Sequence, residues 1–173
     1  KPVIIPAIQE WQGGDGYFVF DGNTKIISES NNDDIDLSPI ISYFKEDMKE
    51  IAGLNLVEGS ADSNFIKLNL LDEDIYQTGE EGYVIYAAED EINIYSSGYQ
   101  GLLYGAITVE QEVKLYGKVS AGLMRDYPDF EIRGLMFDVG RIPHRPQYIE
   151  DYIKILNWYK MNEFHLHLND DFH

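Results

Sequence analysis

Along the first two thirds of the chain, short stretches of alternating apolar and polar residues give way twice to longer runs in which apolar residues recur every three or four positions. The first pattern is that of strands with one buried face, the second that of amphipathic helices. Tyr17-Phe18-Val19-Phe20 and Thr24-Lys25-Ile26-Ile27, separated by Asp21-Gly22-Asn23, predict a hairpin. From Ile35 to Ala52 the residues Leu37, Ile40, Ile41, Phe44, Met48 and Ile51 fall on one helical face, and Gly53 supplies a stop. Phe65 to Leu71 alternates as a strand, and Gly82–Tyr86 with Glu91–Tyr95 flank Ala88-Glu89-Asp90 as a second hairpin. From Ser97 to Tyr116, Leu102, Leu103, Ala106, Ile107, Val109 and Val113 predict a second helix, in which Gly101 and Gly105 permit close backbone approach. The expected product is an α+β domain over residues 1–122, a sheet of at least five strands with helices on one face.

The pattern then changes. Leu123 to Phe130, with Pro128 inside it, reads as a linker. Ile132 to Val139 is a largely apolar run of the kind found in strands buried on both faces. After a loop with two prolines, Gln147 to Met161 carries Tyr148, Ile149, Tyr152, Ile153, Ile155, Leu156 and Tyr159 at helical spacing, and Glu163 to Leu168 is again a strand. Strand, helix, strand is a parallel βαβ unit over residues 123–173, and in such units chemistry gathers where strands end. Asp138 and Arg141 follow the first strand, and Asn169, Asp170 and Asp171 the second.

Composition narrows the classes. The 173 residues are 44% apolar, enough for a packed core, and carry a formal charge of -18 from 31 acidic against 13 basic residues. That balance repels a phosphate backbone, so nucleic acid is not an expected partner. With no cysteine there are no disulfides and no thiolate sites. No run approaches the roughly 18 apolar residues of a membrane span, and the opening residues lack the apolar stretch of a signal peptide.

Arg133-Gly134-Leu135-Met136-Phe137-Asp138-Val139-Gly140-Arg141 and Lys160-Met161-Asn162-Glu163-Phe164-His165-Leu166-His167-Leu168-Asn169-Asp170-Asp171 together resemble the opening of the catalytic barrel of glycoside hydrolase family 20. The pattern is R-G-x-x-x-D-x-x-R, a helix, then K-x-N-x-x-x-x-H-x-x-D-D. The upstream domain, through Gly98 to Ala106, resembles the accessory domain that precedes that barrel. The resemblance implies a β-N-acetylhexosaminidase acting on glycans with terminal N-acetylhexosamine, with no cofactor. It implies an α+β accessory domain followed by the start of a (β/α)8 barrel that stops after the second of eight strands. The Asp-Glu pair that such enzymes use for substrate-assisted catalysis would then lie beyond this chain, and the chain alone would be inactive. A secreted, periplasmic or cell-surface location follows from the substrate class alone.

By the same resemblance Arg141 binds the outer hydroxyls of the non-reducing sugar. Asp170 orients a downstream histidine that supports the catalytic acid, with Asp171 the second choice. The alternatives from the residues themselves are a surface ion pair for Arg141 and a turn or helix cap for Asp170 and Asp171. Asp138 is expected to be a buried, paired carboxylate near the strand end. His165 and His167 share one strand face, pointing toward a barrel interior as supporting groups rather than as a metal site. The loop Ile142-Pro143-His144-Arg145-Pro146 is less aromatic than the family's usual loop, which implies different outer sugar subsites. Two strands without neighbours leave an apolar edge, so self-association is expected. Two competing readings are a non-catalytic carbohydrate-binding module and a metal-dependent hydrolase built on His165 and His167.

Overall fold

The computed structural model describes residues 1–32 and 34–169 and divides into two compact units, Lys1–Pro128 and Asp129–His173. The first unit is a seven-stranded mixed sheet with two helices. In chain order its elements are β1 (Glu10–Phe18), β2 (Lys25–Ser30), α1 (Ser38–Ala52), β3 (Val57–Glu58), β4 (Phe65–Leu70), β5 (Tyr83–Ala87), β6 (Glu91–Ser96), α2 (Tyr99–Tyr116) and β7 (Val119–Asp126). The strands lie in the order β1-β7-β5-β6-β4-β2-β3. The second unit holds β8 (Gly134–Asp138), α3 (Pro146–Trp158) and β9 (Glu163–His167), its two strands paired in parallel.

The expected hairpin between β1 and β2 does not exist. β1 pairs with β7 at one end of the sheet, and β2 pairs in parallel with β4 near the other. The connecting residues are held by other groups: Phe20 packs its ring against Phe18 at 4.9 Å and Phe44 of α1 at 6.2 Å. The Asp21 carboxylate accepts the N–H groups of Asn23 and Thr24 at 2.7 and 3.0 Å and the Asn64 amide at 3.0 Å, bonds that hold its pKa below the ordinary value. The turn residues therefore close an Asx turn against Asn64, at the start of β4, rather than a two-strand loop. The second hairpin forms as expected, β5 against β6 with Val84 opposite Tyr95. Helix α1 ends at Gly53, whose φ of 70° suits glycine and whose N–H reaches the Lys49 carbonyl at 3.0 Å.

The segment expected as a linker from Leu123 is instead the second half of β7, and the first unit runs on past Gly122 to Pro128. β7 lies between β1 and β5, and Ile85 opposite Met124 places both side chains in the core beneath the helices. At its end the Tyr83 hydroxyl donates to Asp126 Oδ2 at 2.6 Å and lies 2.6 Å from Thr108 Oγ1 of α2, while Asp126 Oδ1 accepts the Gln9 N–H at 3.1 Å. Burial, with Asp126 adjacent, pushes the Tyr83 phenol well above its ordinary pKa. One carboxylate thus ties together helix α2, strand β5 and the segment entering β1.

Helix α2 is buried on nearly all sides from Gly101 to Val113, and this takes charged residues into the interior. Glu110 is fully buried and neither carboxyl oxygen has a hydrogen-bond partner. Burial, reinforced by Asp47, raises its pKa well above 4.5. A carboxyl whose folded pKa is raised contributes full stability below its unfolded value and loses it as pH climbs toward the folded one. Glu110→Gln should therefore match the parent near pH 4 and exceed it by about 1–3 kcal/mol at pH 7. Urea unfolding at both pH values checks this; a difference that does not grow with pH would contradict it.

Candidate functional site

The site is built on the parallel pair of the second unit. Gly134 stands opposite Glu163 and Asp138 opposite His167, so both strands end at one level. Side chains alternate across them. Phe137 faces α3, its ring 4.9 Å from Tyr152 and 6.0 Å from Tyr148, and the ring of His144 in the loop lies tilted against Phe137 at 4.8 Å. Met136, Asp138, His165 and His167 occupy the other face. The strand expected to be buried on both faces therefore has one covered face, the one under α3, and Met136 is 59% exposed.

At the carboxyl ends, Asp138 organises the loop. Its Oδ1 accepts the N–H groups of Gly140 at 3.0 Å and Arg141 at 3.1 Å, and its Oδ2 lies 3.4 Å from Arg141 Nε. The Val139 and Gly140 N–H groups donate to the His167 carbonyl at 3.0 and 3.2 Å, which locks the loop onto the end of β9. A side chain on Gly140 would collide with the Asn169 carbonyl, so the close approach requires glycine there. The result is a half-exposed guanidinium held at the strand mouth by a partly buried carboxylate. Asp138 is paired as the sequence led us to expect, but it is partly rather than fully buried, because the loop it holds lies at the open end of the strands. Five fixed donors on a planar group suit recognition of adjacent hydroxyls.

His165 and His167 share a face, with ring centroids 6.4 Å apart. Among the described residues no group of three or more His, Cys, Asp or Glu side chains converges, and two imidazoles do not complete a metal site. Asp170 and Asp171 lie outside the described residues.

The other half of the sequence motif lies at the opposite end of the strands. The Asn162 side chain accepts the Arg133 N–H at 2.9 Å and donates to the Glu131 carbonyl at 2.8 Å. The Arg133 guanidinium reaches the carbonyls of Lys160 and Phe130 at 2.9 and 2.8 Å. Lys160 takes φ 56°, which turns the chain out of α3 and into β9. Sequence reasoning quoted these residues without giving them a role. Arg133, Lys160 and Asn162 close the strand starts, whereas Asp138 and Arg141 face outward at the strand ends.

Residues 1–127 match Glycosyl hydrolase family 20, domain 2, and residues 130–172 match Glycosyl hydrolase family 20, catalytic domain. The chain belongs to glycosyl hydrolase family 20. A beta-N-acetylhexosaminidase of Cellulomonas fimi is 34% identical over 118 residues, covering 66% of this chain and 23% of that protein. A beta-hexosaminidase of Porphyromonas gingivalis is 27% identical over 97% of this chain and 22% of its own length. The chain thus spans less than a quarter of either relative. The family 20 β-N-acetylhexosaminidase structure from Streptomyces coelicolor A3(2) is 24% identical, with a TM-score of 0.82 over 96% of this chain and 35% of that one. The Vibrio harveyi exo β-N-acetylglucosaminidase, solved with N-acetylglucosamine, is 22% identical with a TM-score of 0.82 over 97% of this chain and 26% of that one. These likenesses concern the fold: the family's second domain followed by the start of its catalytic domain.

In this family 20 chain, Asn162→Ala removes two hydrogen bonds that join the strand starts. It should speed amide exchange at Arg133 and lower the unfolding free energy of the second unit by about 1–3 kcal/mol. Hydrogen exchange followed by mass spectrometry checks it, and unchanged protection at Arg133 would contradict the clamp.

Proposed function

We propose that the protein to which this chain belongs hydrolyses terminal non-reducing N-acetyl-β-hexosamine residues of glycans, and that β8, α3 and β9 open its (β/α)8 catalytic barrel. The observation that carries this reading is Arg141, half exposed and braced by Asp138 at the carboxyl ends of a parallel pair, within the segment that matches the family's catalytic domain. Strand carboxyl ends are where barrel enzymes hold substrate.

In this reading Arg141 donates to the outer hydroxyls of the terminal sugar and fixes that ring across the barrel mouth. Asp138 acts on Arg141 by setting its orientation. Asp170, with Asp171 as second choice, orients a histidine that supports the catalytic acid. The substrate's own 2-acetamido oxygen attacks the anomeric carbon as an acid protonates the leaving oxygen, and water then opens the oxazolinium with retention. An aspartate steadies the acetamido group and an adjacent glutamate is the acid. Both lie in a later part of the barrel, which takes about 250 residues when complete. The 173-residue chain alone therefore has no turnover. Export to the periplasm, cell surface or medium fits polymeric glycans as substrate.

In the intact protein Arg141→Ala should lower kcat/KM on an aryl N-acetyl-β-glucosaminide by about 100-fold or more, since charged hydrogen bonds contribute about 1.5–3 kcal/mol each. Arg141→Lys should recover only part of it, because one ammonium cannot reproduce a planar fork. Wild-type kinetics in Arg141→Ala, or sugar release by the purified 173-residue chain, would contradict the reading.

A further inference from the structure

The first unit has a cleft of about 460 Å³ away from its helices, where a bulge in β1, the β5–β6 turn and β7 meet. Its lining includes Gly14, Asp15, Tyr86, Glu89, Asp90 and Gly122. The floor is bare backbone. A side chain on Gly122, at φ 148°, would strike the Gln12 carbonyl and the Trp11 ring. One on Gly14 would sit 3.3 Å from the Ala121 backbone.

Tyr86 forms a wall. It lies on the sheet face opposite the helices, in register with the exposed Leu123 on one side and Asn93 on the other, and is 44% exposed. None of the Asp15, Glu89, Asp90 or Tyr86 side chains has a hydrogen bond or ion pair with another described residue, and the lining contains no basic residue. Such a cleft offers an aromatic face and carboxylate acceptors and repels anions. That combination fits a neutral, hydroxyl-rich ligand whose C–H face lies on the ring while its hydroxyls donate to the carboxylates.

We propose that this cleft is a second carbohydrate site, on the accessory sheet, that takes neutral sugar units of a glycan. It lies wholly within the first unit and does not depend on Arg141. An accessory site of this kind would hold a polymeric substrate near the enzyme by raising its effective concentration.

The test is a titration of the isotope-labelled 173-residue chain with triacetylchitotriose and with cellotriose, read from backbone amide shifts. Expected are saturable shifts at Glu89 and Gly122 with millimolar affinity, weakened at least tenfold in Tyr86→Ala and severalfold in Glu89→Gln. Trigalacturonate of equal length should produce none. Unperturbed amides of Ile85 and Met124 in each variant verify that the core is intact. The proposal is overturned if neither neutral sugar shifts these amides at about 10 mM, if both variants titrate like the parent, or if calcium chloride alone gives the same shifts. Absence of sugar binding here alongside Arg141-dependent turnover in the intact protein would remove this inference alone, and the reverse pattern would remove only the catalytic reading.

Discussion

Parallel pairing of β8 with β9 is the constraint on which the candidate site depends. Two parallel strands cannot be joined by a tight turn, so the chain must cross over, and α3 is that crossover. Its aromatic packing on Phe137 covers one face and leaves Asp138, His165 and His167 on the other. The in-register ends then bring the loop after β8 onto the His167 carbonyl, and Asp138 uses that loop to hold Arg141. Each step follows from the one before it, from backbone pairing to the placement of a single guanidinium.

The accessory sheet depends on a different device. Its most buried polar group in strand β7 is Asp126, which is bonded to Tyr83 and Gln9 and through the Tyr83 hydroxyl linked to Thr108, and a carboxylate so bonded can be kept inside. Glu110 is the contrasting case, buried without a partner and held toward its neutral form. Most of the chain's 31 acidic residues do neither, and serve to keep a strongly negative surface in water. Reading chemistry from acidity alone would have failed here. Only the local pairing of each carboxylate separates anchor, strained group and solvated surface.

Much of the fold was legible because periodicity reports which face of an element is buried. The helices, the β5–β6 hairpin and the β8-α3-β9 unit were all readable from apolar spacing. Two features were not. The Asp21-Gly22-Asn23 turn has hairpin chemistry, yet its partner is Asn64, distant in sequence. The half of β7 from Leu123 looks like a linker because the strand is interrupted by Ser120, Gly122 and Arg125 and its buried positions, Val119 and Ala121 and then Met124 and Asp126, do not keep strict alternation. At the site, Asp138 and Arg141 were visible through their spacing after a strand. The Arg133–Asn162 clamp was visible only as letters in a motif, since its role depends on backbone carbonyls that no side-chain pattern encodes. The cleft beside Tyr86 was invisible for the same reason: three separate strands build it.

The most direct test of the central claim, that the β8–β9 mouth belongs to a sugar-binding active site, is a crystal structure of the intact protein with N-acetylglucosamine bound. The account predicts the sugar at the carboxyl ends of these strands, with its outer hydroxyls accepting from the Arg141 guanidinium while Asp138 retains its bonds to the loop. Sugar bound in the catalytic domain away from Arg141, with the guanidinium unchanged on Asp138, would contradict it.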